Sequence, residues 1–209
     1  MPKPIFLVLI AFFLTSACAK PMAQPENETL PSQVQSIAVL PVLVAAETAT
    51  ASPQANKQLQ DGAEILTQII GEYFTDNPKV RLLNAEDVES FSPGYSANQS
   101  AQAQFIGKSL KAEAVMLWEL QRYSDRRGSD YAVQSPVSLA FTYRLVLSES
   151  GQTLCAGSFD ETQQSITENL LSLKKIAKRG FKWITAPDLA KEGVSHKLPA
   201  CNYLQAPQN

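Results

Sequence analysis

The side chains best suited to metal binding or nucleophilic catalysis are few and scattered. The sequence has one histidine, His196, and three cysteines, Cys18, Cys155 and Cys201. A structural zinc site needs four closely grouped Cys or His ligands, and a catalytic triad needs a histidine beside its nucleophile. This spacing favours neither arrangement. We therefore predict no metal, no cofactor, no catalytic residues and no enzymatic activity, with His196 at the surface.

Asp160 and Glu161 are the pair of carboxylates closest to a general acid/base arrangement, at the end of a predicted strand. Adjacent residues of a strand point to opposite faces of the sheet, so two neighbours are badly placed to act together on one substrate. We interpret this pair as an exposed strand end.

The segment from residue 122 to 131 interleaves arginine and tyrosine, which are enriched at protein-binding hot spots. Loops often carry binding residues, so we predict a partner-binding surface here; the alternative is a solvated turn whose Arg and Asp side chains pair with one another. The candidate residues are Arg122, Tyr123, Arg126, Arg127 and Tyr131.

Phe181 and Trp183 form a secondary interface candidate, because tryptophan is favoured at interfaces. The alternative is that both aromatic side chains close the hydrophobic core.

The composition is typical of a chain that folds, and its net charge is slightly negative. Of 209 residues, 44% are hydrophobic and 18% are charged, and 18 Lys and Arg against 20 Asp and Glu give a net charge of −2. Nucleic-acid binding needs a basic surface, so we exclude it as the main function. The length predicts one domain with extensions.

The amino terminus has the layout of a signal peptide over residues 1–17. Residues 5–14, IFLVLIAFFL, follow Lys3 and precede small residues, and this run is too short to span a bilayer. The sequence LTSAC ending at Cys18 resembles the lipobox of bacterial lipoproteins, which implies acylation of Cys18 and, with Ala19 next, sorting to the outer membrane. The alternative is an ordinary signal peptide cut near Ala17 or Ala19.

We expect the mature chain to contain three parts. Residues 18–34 carry the lipidated cysteine and a proline-rich tether, residues 35–198 form a single globular domain, and residues 199–209 are a loose tail.

The hydrophobic pattern predicts an α/β (α+β) fold with a mixed sheet of about five strands and helices packed on it. A helix opened by Ser52 and Pro53 separates two apolar strands, and a hairpin turns near Gly151. Predicted strands cover residues 36–44, 79–83, 114–123, 137–148 and 153–160; predicted helices cover 53–74, 99–110, 165–179 and 185–193.

Residues 106–115, IGKSLKAEAV, run from a helix into a strand, and Ser150 and Gly151 follow at a hairpin turn. This pattern resembles a group of envelope lipoproteins and related domains: the curli secretion lipoprotein periplasmic domain, the penicillin-binding-protein activator lipoproteins and the TolB amino-terminal domain. The resemblance covers residues 35–161 and implies their fold. Glu113 replaces the usual aspartate of the group.

If Cys18 is acylated, Cys155 and Cys201 remain in an oxidising compartment, where a disulfide would fasten the tail to the sheet. The alternative is that Cys155 is a small apolar core residue.

These observations favour a non-catalytic outer-membrane lipoprotein facing the periplasm, which acts as an adaptor or assembly factor for other envelope proteins. The alternative is a homo-oligomeric structural subunit of an envelope export or secretion apparatus. Its partners would be the membrane, through the lipid, and other envelope proteins or further copies of the chain.

Replacing Cys18 with serine should release the protein from the membrane fraction and abolish labelling by a radioactive or clickable fatty acid, because the acyl chains are the predicted anchor. A Cys18→Ser protein that still sediments with the outer membrane would contradict the lipid anchor.

Overall fold

The computed structural model describes residues 30–46, 52–91, 94, 100–128, 133–163 and 184–205. From Pro31 onwards these residues belong to one compact unit. The strands are β1 Ile37–Val39, β2 Leu43–Val44, β3 Val80–Leu82, β4 Ala114–Ser124, β5 Arg127–Gly128, β6 Val133–Ser135, β7 Ser138–Leu147 and β8 Thr153–Thr162. The helices are α1 Pro53–Phe74, α2 Ala85–Phe91, α3 Ser100–Leu110 and α4 Ala186–Lys197, followed by 3-10 turns at Leu198–Ala200 and Asn202–Leu204.

Six strands form one mixed sheet in the order β3-β1-β4-β7-β8, with β2 also beside β4. Strands β3, β1 and β4 are parallel, whereas β7 and β8 are antiparallel to their neighbours. The predicted mixed α/β fold is therefore confirmed. The predicted strand over residues 36–44 is split into β1 and β2 because Pro41, between them, has no N–H to donate to a ladder.

Helix α1 begins where the sequence predicts it. The Ser52 hydroxyl accepts a hydrogen bond from the N–H of Ala55 at 3.4 Å, and Pro53 occupies the first turn. Its buried stripe includes Leu59, Ala63, Leu66 and Ile70, at helical spacing.

The sheet buries apolar side chains on both faces, which gives two hydrophobic cores. The larger core joins α1 and α4 to the face that carries Trp118 and Phe141. The smaller core lies under α2 and α3, on the face that carries Val115 and Val146. Since both cores include side chains of β4, this strand is central to the domain.

Gly107 allows α3 to approach the sheet, as the sequence predicts. A Cβ atom at this position would lie 2.7 Å from Cγ2 of Val115 and 2.1 Å from Oγ of Ser148. Such distances are far inside van der Waals contact, so any larger side chain would force the helix away from the strands.

Gly193 does not end the last helix, and the predicted stop at this residue is wrong. Helix α4 continues to Lys197. A Cβ atom at Gly193 would lie 3.0 Å from the ring of Phe159. The glycine therefore serves close packing of the helix on the sheet rather than termination.

The expected loose tail is wrong for residues 199–205, which pack on the larger core. Cys201 and Leu204 are buried, and Cys155 and Cys201 form a disulfide with 5.9 Å between their Cα atoms. The side-chain amide of Asn77 donates to the carbonyl oxygen of Leu204 at 2.8 Å. This segment therefore connects the edge strand β8 to the end of α1.

The folded region also starts before residue 35. Val34 is buried in the larger core, and the Tyr203 hydroxyl donates to the carbonyl oxygen of Pro31 at 3.0 Å. The predicted helix over residues 165–179 lies outside the described residues.

Replacing both Cys155 and Cys201 with alanine should lower the free energy of unfolding by about 4 kcal/mol, because the disulfide closes a loop with a sequence separation of 46. Chemical denaturation of the variant and the wild type measures this. As a control, free-thiol counts on denatured, unreduced protein should be equal for both; two extra thiols in the wild type would contradict the disulfide.

Candidate functional site

The face of β7 that contributes to the smaller core changes from apolar to polar along the strand. Val146 is fully buried in the smaller core, whereas Thr142 and Arg144 are half-buried. Of the described helices, α2 and α3 contribute to the core on this face. We call the polar end of this face the polar sheet face; it consists of Gln121, Arg122, Ser138, Thr142, Asp160 and Thr162.

Hydrogen bonds between side chains order the polar sheet face. The Arg122 guanidinium donates to the Ser138 hydroxyl and forms an ion pair with Asp160 on the edge strand β8. Ser138 is also hydrogen-bonded to the Thr162 hydroxyl at 2.7 Å. These contacts hold a polar and partly exposed surface in one arrangement.

A β-bulge in β4 explains why these residues face the same way. The register with β7 shifts between Leu120 and Arg122, so the strand has one extra residue at Gln121. Gln121 donates to the Thr142 hydroxyl at 2.9 Å. The bulge thus places two consecutive polar side chains on the polar sheet face and returns the next residue to the core.

That next residue is Tyr123, and its predicted role as an exposed partner-binding residue is wrong. Tyr123 is 8% exposed and belongs to the larger core. Its ring packs on Gly62 of α1, where a Cβ atom would lie 2.4 Å from the ring carbon Cγ. Burial, with a smaller contribution from the Asp125 carboxylate, raises the pKa of Tyr123 to about 12.

The remaining candidates of the 122–131 segment have different environments. Arg122 is a side chain of the polar sheet face, with 42% of its side-chain surface exposed. Arg126 is half-buried, whereas Arg127 is exposed in β5 and pairs with Ser135 of β6. Tyr131 lies outside the described residues.

Asp125 has a structural role. Its carboxylate accepts hydrogen bonds from the N–H of Arg126 at 2.8 Å and from the N–H of Ala186 at 3.1 Å. It thereby joins the end of β4 to the first turn of α4, where a negative charge is favourable.

The other sequence candidates are placed as follows. Asp160 is exposed at its strand end and paired with Arg122, and His196 is exposed in the last turn of α4. Cys18, Phe181 and Trp183 lie outside the described residues.

Within the described ranges, no group of three or more His, Cys, Asp or Glu side chains is arranged to hold a metal ion. None of the helices in that part of the chain combines the length and apolar composition needed to cross a bilayer.

A cleft of about 650 Å³ lies near the amino-terminal end of β4 and was not predicted from the sequence. Its walls come from Pro31, from the turn after α3 and from the turn between β7 and β8. These segments are far apart in the chain, so spacing alone gives no signal for their meeting.

The chain is thus an α/β protein with a six-stranded mixed sheet, an ordered polar surface and a separate cleft. No protein-family model matches its sequence, and no curated protein is detectably similar to it.

Solved structures that align with it include the PelC dodecamer from Paraburkholderia phytofirmans, at 15% sequence identity and a TM-score of 0.45, covering 84% of this chain and 90% of that chain. Lipoprotein GNA1162 from Neisseria meningitidis aligns at 17% identity and a TM-score of 0.41, covering 69% and 97% of the two chains. The LpoB C-terminal domain from Salmonella enterica aligns at 14% identity and a TM-score of 0.34, covering 63% of this chain and 85% of that chain.

Replacing Tyr123 with alanine should lower the free energy of unfolding by about 3 kcal/mol or more, because it removes a buried ring and leaves a cavity. Replacing Arg122 with alanine should cost no more than about 1 kcal/mol, because the ion pair is exposed to solvent. Urea denaturation of both variants measures the two values. Equal losses would contradict the assignment of Tyr123 to the core and Arg122 to the surface.

Proposed function

We propose that this protein is a non-catalytic lipoprotein of the bacterial envelope, anchored through Cys18 in the outer membrane and facing the periplasm, which binds another envelope protein through the polar sheet face. The observation that carries the proposal is the ordered network of Arg122, Ser138 and Asp160 on a partly exposed surface.

This network suits recognition for a physical reason. Its side chains already hold each other in one conformation. They would therefore lose little further conformational entropy when a partner binds. Arginine and aspartate at its centre offer directional, charged hydrogen bonds, which favour specificity.

The network is an unfavourable arrangement for catalysis. The Asp160 carboxylate is paired with a guanidinium and 69% of its side-chain surface is exposed. Catalytic carboxylates usually lie in clefts shielded from water, unlike this exposed side chain.

The predicted anchor supports the envelope assignment. The apolar run over residues 5–14, directly followed by small residues and Cys18, is typical of lipoprotein signal peptides. Attachment to a membrane raises the effective concentration of the domain near other envelope proteins, so a modest interface is sufficient.

A homo-oligomeric subunit is the second candidate function, and one feature of the sheet favours it. Strand β8 has ten residues and is the edge of the sheet among the described elements, with neither lysine nor proline along it. Edge strands without such residues are prone to pair with another strand. Native mass measurement in detergent distinguishes a discrete oligomer from a monomer.

A reversed ion pair tests the polar sheet face. The double variant Arg122→Asp with Asp160→Arg keeps two opposite charges in contact but exchanges their positions. We expect the melting temperature to change little, because exposed pairs contribute at most about 1 kcal/mol, while in-cell cross-links to the partner fall at least tenfold.

The matched control is Lys57→Asp with Asp61→Lys, which reverses an exposed ion pair of 2.9 Å on α1. Its cross-links should equal those of the wild type. If the Arg122 and Asp160 reversal leaves every cross-link unchanged, the polar sheet face does not bind the partner.

A further inference from the structure

The cleft near the start of β4 is lined by charges of both signs. Lys108 and Lys111 come from the end of α3 and the turn after it, whereas Glu149 comes from the turn between β7 and β8. Pro31, Ala112 and Leu147 supply its less polar surface. These three charged side chains and that of Glu113, which also lines the cleft, are exposed.

Where the structure describes the chain, the side chains of Lys108, Lys111 and Glu149 contact no opposite charge. Within the described part of the chain, neither lysine forms an ion pair or a side-chain hydrogen bond, and the same holds for the Glu149 carboxylate. Glu113, also at the cleft, already accepts a hydrogen bond from the N–H of Gln35 at 2.9 Å. Two ammonium groups and the Glu149 carboxylate are therefore unpaired among the described residues, and the Glu113 carboxylate adds a second negative charge to the lining.

Lys111 holds its position at a cost in backbone strain. Its φ angle is 56°, in the left-handed region that glycine normally occupies at the end of a helix. The turn is closed by a hydrogen bond of 2.9 Å from the N–H of Ala112 to the carbonyl oxygen of Gly107. Strain of this kind concentrates at functional positions.

We propose that this cleft binds a short zwitterionic peptide, with its carboxylate at Lys108 and Lys111 and its ammonium group at Glu149. The cleft volume is within the range of small-ligand sites. A phosphate or nucleotide brings no ammonium group for Glu149 and Glu113, and an aliphatic lipid would leave the charged rim without partners. A peptide with both charges and an apolar centre matches a lining made of lysines, glutamates and less polar residues.

The test uses the tripeptide Ala-Leu-Ala with free termini, titrated into the isotope-labelled full chain and followed by amide chemical shifts. Saturable shifts are expected at Ala112, Leu147 and Ser148. The same tripeptide with an acetylated amino terminus, or with an amidated carboxyl terminus, should bind about two- to fivefold more weakly, because each lacks one ion pair.

Two variants test which side chains hold each end of the peptide. Glu149→Gln should weaken binding of the free tripeptide but not of its acetylated form, and Lys108→Gln with Lys111→Gln should weaken the free form but not the amidated form. Lys111→Arg should retain binding, and Lys57→Gln, on α1, is the control for loss of a lysine elsewhere. Equal binding of all three peptides, or absence of saturable shifts, would overturn the proposal.

Lys111→Gly separates function from stability. It should raise the melting temperature by about 2–4 °C, because glycine tolerates the left-handed conformation, and weaken binding of the free tripeptide by about two- to fivefold. A more stable variant that binds as tightly as the wild type would show that Lys111 has no role in the cleft. This proposal is independent of the polar sheet face, so failure of either leaves the other intact.

Discussion

The burial of β4 on both of its faces is the constraint on which the rest of the structure depends. Five consecutive residues, Ala114 to Trp118, are buried, and they alternate between the two hydrophobic cores. A strand of this kind must have a neighbour on each edge and a helical layer on each face. The parallel pairing with β1, the antiparallel pairing with β7 and the placement of α1 and α3 all satisfy this requirement.

The burial of β4 on both faces ends within the same strand. Beyond Leu120 the outer face of β4 turns polar, and the bulge at Gln121 changes which side chains point inward. Tyr123 can then fill the space beside Gly62, while Arg122 reaches Ser138 and Asp160. The polar sheet face and the packing of α1 are thus two consequences of one extra residue.

Local patterns in the sequence are sufficient for most of the fold but not for its exceptions. The cap at Ser52 and the alternation along β7 depend on neighbouring residues, so α1 and the hairpin are predictable. The burial of Tyr123 depends on the bulge. In the sequence, the bulge is visible only as a three-residue step from Leu120 to the next core side chain. The packed segment 199–205 depends on contacts with Asn77 and Cys155, which are remote in sequence.

The candidate sites differ in the same way. Residue type alone is sufficient to predict Arg122 as a binding residue, whereas the cleft is formed only when the chain folds. The two sites are separated along β4 by eight residue steps, from Ala114 to Arg122, or about 26 Å. At that separation, charges exposed to solvent are largely screened from one another at physiological salt. The polypeptide enters the described domain at Pro31, which lines the cleft, so the polar sheet face lies toward the opposite end of the sheet from this entry point. A protein bound to that face and a peptide bound in the cleft would therefore not compete for space, and their binding free energies should be additive.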